Sequence, residues 1–288
     1  LQNNDNAKKY LTLSLDYSPG SSVAAETYYA LAENCRINGE YDEAHFQYNN
    51  LIEHFPKHSL SMPAQLRNVE IYIAQSENEK ASRILDSLVG GDSIHSAWRL
   101  LLRIRTEFNE NKLAQAQLHC EQFLTTFSDD EKRNDIQFLL AKIYIQTARY
   151  LESIEILKNI STENTVLSHE ASYYYATALL RIGKENEADT LFKIIANDSL
   201  SLYQYQAQFE TALYKMKENK SIEAESLLAH IIKRLSSPRL INASQRYLLG
   251  ESYRLMGEIL FQEKKYFDAQ MNFEEAYISE SLNDSLRG

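Results

Sequence analysis

Seven small residues return along this chain at nearly constant intervals, each one helical turn before a large or core-type residue. Ala44, Ala81, Ala116, Ser153, Ala188, Ala224 and Ala269 are spaced by about 37, 35, 37, 35, 36 and 45 residues, and Tyr48, Leu85, Cys120, Leu157, Phe192, Leu228 and Phe273 stand four places after them. A period in this range is the signature of stacked helical hairpins, because one hairpin cannot bury its apolar face alone and leaves it for the next. The pattern constrains the fold more than length does, since 288 residues alone would suggest one or two compact domains.

Residues 25–58 form the clearest unit. Tyr28, Leu31, Ala32 and Cys35 share a helical face, Asn38-Gly39-Glu40 signals a turn, and Tyr41, Ala44, Tyr48 and Leu51 define a second helix ending at Phe55-Pro56. Eight Gly and four Pro leave little material for flexible linkers. Pro19, Pro56 and Pro238 fall where second helices are expected to end, and Pro63 sits in the first turn of a helix opened near Ser61. Gly90-Gly91-Asp92-Ser93 reads as a helix stop followed by a cap. The wide last interval points to a first helix lengthened toward its N-terminus, with Leu240, Ile241, Tyr247, Leu248 and Leu255 as its apolar stripe.

These units resemble the tetratricopeptide repeat, whose pattern is W-x2-L-G-x2-Y, then A-x3-F, then P. Tyr28, Leu31, Ala32 and Cys35, then Ala44 and Tyr48, then Pro56 take its positions in the first unit, with Tyr in place of the Trp, Ala of the Gly and Cys of the Tyr; Tyr253, Met256, Gly257 and Leu260, then Tyr266, Ala269, Phe273 and Ala276 take them in the last. Ala141 with Tyr144 and Ala176 with Leu179 keep the small-then-large step, whereas the units around Val69 and Ile104 depart from it. The resemblance implies an all-α fold: a right-handed superhelical solenoid of about seven antiparallel helix-turn-helix repeats. Units are expected near 25–58, 62–95, 97–130, 134–167, 169–202, 205–238 and 240–283, within a solenoid over residues 21–288. Residues 1–20 are expected to hold the second helix of a leading half-repeat, because Ala7, Leu11 and Pro19 precede Ala44, Tyr48 and Pro56 by one period. The missing first helix, and a start at Leu1 without a signal-peptide pattern, read as truncation.

A formal net charge of −10 argues against a nucleic-acid ligand, since such affinity rests largely on Lys and Arg neutralising phosphates. Arg99, Arg103 and Arg105 form no dense tract and read as a solvated helix face. Cys35 and Cys120 fall at core positions and assign no redox compartment. No apolar run is long enough to span a membrane.

The catalytic search returns G-x-S-x-G, G-x-x-x-x-G-K-[ST], H-E-x-x-H and C-x-x-C nowhere in the chain. His54 and His58 have ligand-like spacing, but Pro56 breaks the helix that would align them, so no metal is expected. His119 and Cys120 project about 100° apart on a helix, so an exposed histidine beside a core thiol is expected rather than an activated pair. Neither enzyme activity nor a cofactor is expected.

The resemblance implies instead a protein or peptide partner held in a concave groove lined by the first helices. Helical phase places Tyr29, Glu33, Leu66, Glu70, Leu101 and Arg105 there in the first half of the chain. In the second half it places Phe138, Lys142, Tyr173, Thr177, Phe209 and Leu213, with Tyr174 beside them. Tyr29, Arg105, Phe138, Lys142, Tyr173, Tyr174 and Phe209 are the expected binding residues. Family members that clamp a peptide carboxylate use Lys and Asn, and Tyr29, Glu33, Leu66 and Glu70 depart from that set. The junctions 54–59 and 17–21 resemble those of bacterial envelope-associated repeat proteins, implying a scaffold in envelope assembly at the periplasm or outer membrane. The alternative is a regulatory or sensory domain of a larger signalling or transcription-regulating protein, compatible with the cytoplasm.

Overall fold

The computed structural model describes residues 8–13, 15, 22–88, 93–162, 166–198, 201–236 and 242–284. All regular structure among them is helical. After a helical stretch at 8–13 (α1) come α2 (Ser22–Ile37), α3 (Tyr41–His54), α4 (Ser61–Ala74), α5 (Asn78–Ser87), α6 (Ser93–Asn109), α7 (Leu113–Thr126) and α8 (Arg133–Gln146). Then follow α9 (Tyr150–Ser161), α10 (Val166–Arg181), α11 (Glu185–Asn197), α12 (Gln204–Lys217), α13 (Ser221–Leu235), α14 (Ala243–Gln262) and α15 (Tyr266–Asp284). The chain divides into two compact units, residues 1–143 and 144–288.

One turn joins each first helix to its second helix. Gly39, Ser76, Asn111, Ala148, Gly183, Asn219 and Lys264 all hold positive φ, between 58° and 80°, and recur at the intervals of the small residues five places downstream. After each, the next amide reaches back to the carbonyl five residues before it, as in Glu40 N to Cys35 O (2.9 Å), Arg149 N to Tyr144 O (2.7 Å) and Lys265 N to Leu260 O (2.9 Å). This left-handed closure satisfies carbonyls that a helix end would otherwise leave bare. Glycine takes that backbone freely, yet only two of the seven positions have it, so Ala148 and Lys264 hold a conformation that costs an L-residue about 1–2 kcal/mol. The carbonyl that follows starts the second helix by accepting from the small residue itself, as Glu40 O does from Ala44 N (3.0 Å) and Lys265 O from Ala269 N (3.0 Å).

Ala44, Ala81, Ala116, Ser153, Ala188, Ala224 and Ala269 are all buried, and so are the large residues four places on, except one. A missing side chain at each small position lets two helices approach, while its neighbour fills the space beyond. Phe273, in the last hairpin, is 38% exposed. Gly257 marks the closest approach, since a Cβ there would lie 2.7 Å from the Phe273 ring.

In residues 1–143, each helix from α2 to α7 packs on its neighbour in sequence, and α4 also packs on α6. Ala25, Ala32, Cys35, Ala44, Tyr48 and Leu51 form one core with Ala64 and Ile71 of the next hairpin. Burying such aliphatic and aromatic side chains stabilises by about 1.5–3 kcal/mol each. In residues 144–288 the same succession runs from α9 to α15, with α12 also on α14, and Ala212, Ala224 and Leu228 share a core with Leu255, Met256, Ile259 and Ala269.

Hairpins connect through a second recurring turn. His58 N bonds Phe55 O and Ser61 N bonds His58 O, both at 3.0 Å; Asp130 and Arg133 follow Phe127 in the same way, as do Ser201 and Gln204 after Asp198. Pro56 stands in the first of these turns, just beyond α3, and Pro63 lies in the first turn of α4. Pro19, Pro238, Leu240, Ile241 and the Gly90–Asp92 stretch lie outside the described residues. At 20 residues α14 is the longest helix, and Asn242 caps it reciprocally with Gln245 (2.8 and 3.1 Å). Its stripe needs one correction: Leu248 and Leu255 are buried, but Tyr247 is 61% exposed and Leu249 takes the inward place.

Candidate functional site

On residues 1–143 the first helices α2, α4 and α6 carry a continuous ladder of charge. Glu33 of α2 pairs with Arg36 (2.8 Å) and with Arg67 of α4 (3.2 Å); Arg67 also pairs with Glu70 (2.7 Å). Glu70 accepts from the indole of Trp98 on α6 (2.9 Å), and the Arg67 guanidinium lies 4.7 Å from that ring's centroid. Tyr48 donates its hydroxyl to Glu33 from below. Burial pushes the Glu33 carboxyl up, but the bonds from Arg36 and Tyr48 and the charge of Arg67 outweigh it and hold its pKa below the ordinary value. Burial acts against the Arg67 charge too, and Glu70, Tyr29 and Glu33 together outweigh it.

Beside this ladder lies a cleft of about 610 Å³ walled by Arg67, Glu70, Trp98, Leu101, Arg105 and Lys132 among others. Tyr29, Arg105 and Lys142 are half-buried on the first helices of this unit. Lys142 sits over two rings, 5.5 Å from Phe138 and 5.6 Å from Phe108. Phe138 is only 5% exposed, and Leu66 and Leu101 are buried as well. Phe138 and Leu66 are therefore corrected to supports beneath the surface, because the adjoining helices cover the face that an isolated helix would expose, whereas Leu101 still lines the cleft. Trp98 and Arg67 do line the surface, although neither belongs to a repeat-pattern position. The chain's single tryptophan was the available signal, but its pairing with Glu70 joins helices that sequence alone does not bring together.

On residues 144–288 the first-helix face is aromatic. Tyr173 stacks on Tyr203 at 4.5 Å and meets Tyr174 and Phe192 edge-on, both at 5.8 Å. Tyr203 donates to Glu170 (2.9 Å). Burial, then the charge of Glu210, pushes the Tyr173 hydroxyl up to about 12. Phe209 packs against two cores that α12 shares with α13 and α14, and Tyr173 against the core of α10 and α11, so both have structural as well as surface roles.

A second cleft, about 550 Å³, opens among α10, α11, α12 and α14. Leu180, Phe192, Leu213, Met216 and Leu255 give it apolar walls, and Asp189 and Glu210 contribute carboxylates. Asp189 is only 7% exposed; one oxygen pairs with Lys193, and Oδ1 has no partner within the protein. Glu210, half-buried, takes part in no hydrogen bond or ion pair, and burial raises its pKa while Arg181 pulls the other way. Of the other rim charges, Lys217 pairs with Glu185 (2.9 Å) and Glu258 with Arg254, while Arg181 is exposed and acts on Glu210 only through its charge.

Cys35 and Cys120 are buried free thiols, and burial pushes Cys120 up to about 12, opposite to what a nucleophile needs. His119 is half-buried rather than exposed, because its Nδ1 lies 2.7 Å from the buried Glu107 carboxylate. Arg99 and Arg103 likewise depart from a solvated face: Arg99 donates to Leu88 O (3.0 Å) and Arg103 pairs with Asp86 (2.8 Å). His54 donates from Nδ1 to Asn50 O (2.8 Å) and stacks near Tyr28. No described helix is long and apolar enough to cross a membrane.

No protein-family profile matches the chain, and no curated protein matches it by sequence. Solved structures do. A signal-transduction ATPase with numerous domains from Pyrococcus horikoshii, carrying a tetratricopeptide repeat sensor, superposes with a TM-score of 0.76 at 14% identity over 97% of this chain. The chain spans 45% of that protein's length. A tetratricopeptide repeat protein from Parabacteroides merdae gives 0.63 at 15% identity, covering 92% of this chain and 98% of that one. The C-terminal part of a repeat protein from Cytophaga hutchinsonii gives 0.57 at 14%, covering 88% and 95%. With seven in-register turns and the small–large step at every junction, the chain has the tetratricopeptide-repeat fold.

Proposed function

We propose that this chain is a non-catalytic scaffold that holds a protein segment on the exposed face of its first helices. The observation that carries the reading is the contrast within each hairpin. Small and large residues of the second helices are consumed by packing, whereas Tyr29, Arg105, Lys142, Tyr173, Tyr174 and Phe209 remain half-buried on the first helices, and Arg105 also lines the cleft of about 610 Å³. Rigid aromatic rings with few rotatable bonds suit such anchoring. The acidic balance of the chain supports a protein rather than a nucleic-acid partner.

The biological setting we favour is bacterial envelope assembly, on the character of the junctions at 54–59 and 17–21. The sensory reading draws support from one observation, the match over 97% of this chain to a structure described as bearing a repeat sensor. Pull-down from an envelope fraction tests both the surface and the setting. Tyr174→Ala and Arg105→Ala should each weaken capture by about 1 kcal/mol or more, whereas Glu225→Ala on α13 should leave it unchanged. Capture that survives the first pair and fails with the last would move the site to the second helices.

A further inference from the structure

The cleft among α10, α11, α12 and α14 has a chemical preference that its shape alone does not explain. Its walls are apolar in part, through Leu213, Met216 and Leu255, and two acidic side chains line it without full compensation: Glu210 has no hydrogen-bond or ion-pair partner, and Asp189, over nine-tenths buried, leaves Oδ1 unmatched. Native proteins satisfy nearly all such groups, because a buried acceptor without a partner costs about 1–3 kcal/mol. The cations of this unit do not answer the deficit. Lys193 is committed to the other Asp189 oxygen, Lys217 to Glu185 and Lys215 to Glu218 and Glu223; Arg181, exposed on the rim, acts on Glu210 through its charge but forms no ion pair with it.

From this arrangement we infer that the cleft binds a lysine or arginine side chain of the partner segment, its aliphatic stem between Leu213, Met216 and Leu255 and its charged end at Glu210. Asp189 lies deeper and adds negative potential rather than direct contact, since its free oxygen is sealed from solvent. A long cationic side chain is the one residue type that satisfies both features, apolar along its stem and charged at its tip. The preference rests on the first-helix face being the binding surface, and it narrows the partner to a segment with a basic residue set among apolar ones.

Three fluorescein-labelled dodecapeptides test it: alternating leucine and glutamine with one central lysine, and the same peptide with norleucine or glutamate in place of that lysine. Anisotropy titrations use the whole 288-residue chain at 150 mM salt. The lysine peptide should bind at least tenfold more tightly than the glutamate peptide, and Glu210→Gln should shrink that ratio below threefold. Asp189→Asn should reduce it less, and circular dichroism melts should show that both variants are folded. A tenfold preference that persists in both variants would overturn the inference by placing the selective charge elsewhere. Equal binding of all three peptides, abolished by Leu213→Asp, would overturn it while leaving the binding surface intact. Failure of every peptide to bind would count against the surface itself and the inference with it.

Discussion

The two units solve the same packing problem and treat charge in opposite ways. In residues 1–143 the first-helix face is closed on itself: Arg67 bridges Glu33 and Glu70, Trp98 caps Glu70, and Tyr48 supports Glu33 from the core. In residues 144–288 the cleft among α10, α11, α12 and α14 leaves Glu210 with no ion pair, reached only by the charge of Arg181, and Asp189 of α11 with one oxygen unmatched. One arrangement stabilises the unit that carries it. The other costs stability and is therefore the better place to look for a ligand, since function is commonly built where local satisfaction is incomplete.

Packing should not distinguish the units, so the largest effects are expected to be equal. Ala44→Leu in the first and Ala188→Leu in the second each insert a side chain where two helices touch, and each should cost about 1–3 kcal/mol in denaturant unfolding. A much smaller cost in one unit would show that its junction is looser than the buried alanines indicate.

Charge should distinguish them. Arg67→Ala removes the shared cation from two part-buried carboxylates and should cost about 1–2 kcal/mol, less than breaking a fully buried pair would, because Glu33 keeps Arg36 and Tyr48, Glu70 keeps Trp98, and each retains some solvent. The turns sharpen the point at smaller scale. Gly39→Ala should lose about 1 kcal/mol, whereas Ala148→Gly should gain up to about 1 kcal/mol by relieving the left-handed backbone.

Acid should act with opposite sign in the two faces. Glu33 binds protons more weakly when folded, so its contribution is present above the ordinary carboxylate pKa and is lost as pH falls through the depressed folded value. Glu210 binds protons more tightly when folded, so its contribution is most favourable at low pH and declines as pH rises from the ordinary value through the raised one. Melts of Glu33→Gln and Glu210→Gln across mildly acidic to neutral pH would check both slopes. At neutral pH the first variant should melt lower than the parent and the second higher.

Much of the fold was legible because it follows from local rules. The intervals between Ala44 and Ala269 locate every hairpin, and the left-handed turn falls five residues before each small residue, whether it holds Gly39 or Lys264. The face was less legible, because helical phase says which way a side chain points but not what covers it. Phe138 and Leu66 point as expected and are buried by neighbours, while Tyr247 belongs to an apolar stripe and faces solvent. Arg67 and Trp98, 31 positions apart, meet only because α4 and α6 pack together. The state of Glu210 was beyond sequence altogether, since its lack of a partner depends on where Arg181 and Lys217 direct their charges.

Hydrogen exchange resolved by helix, at neutral pH, compares the two faces most directly in the parent, Arg67→Ala and Glu210→Gln proteins. Arg67→Ala should speed exchange in α2, α4 and α6, and Glu210→Gln should slow it in α10 and α12. Faster exchange around α12 in Glu210→Gln would show that this carboxylate is held by a stabilising interaction. The contrast between a self-satisfied face and an open one would then fail.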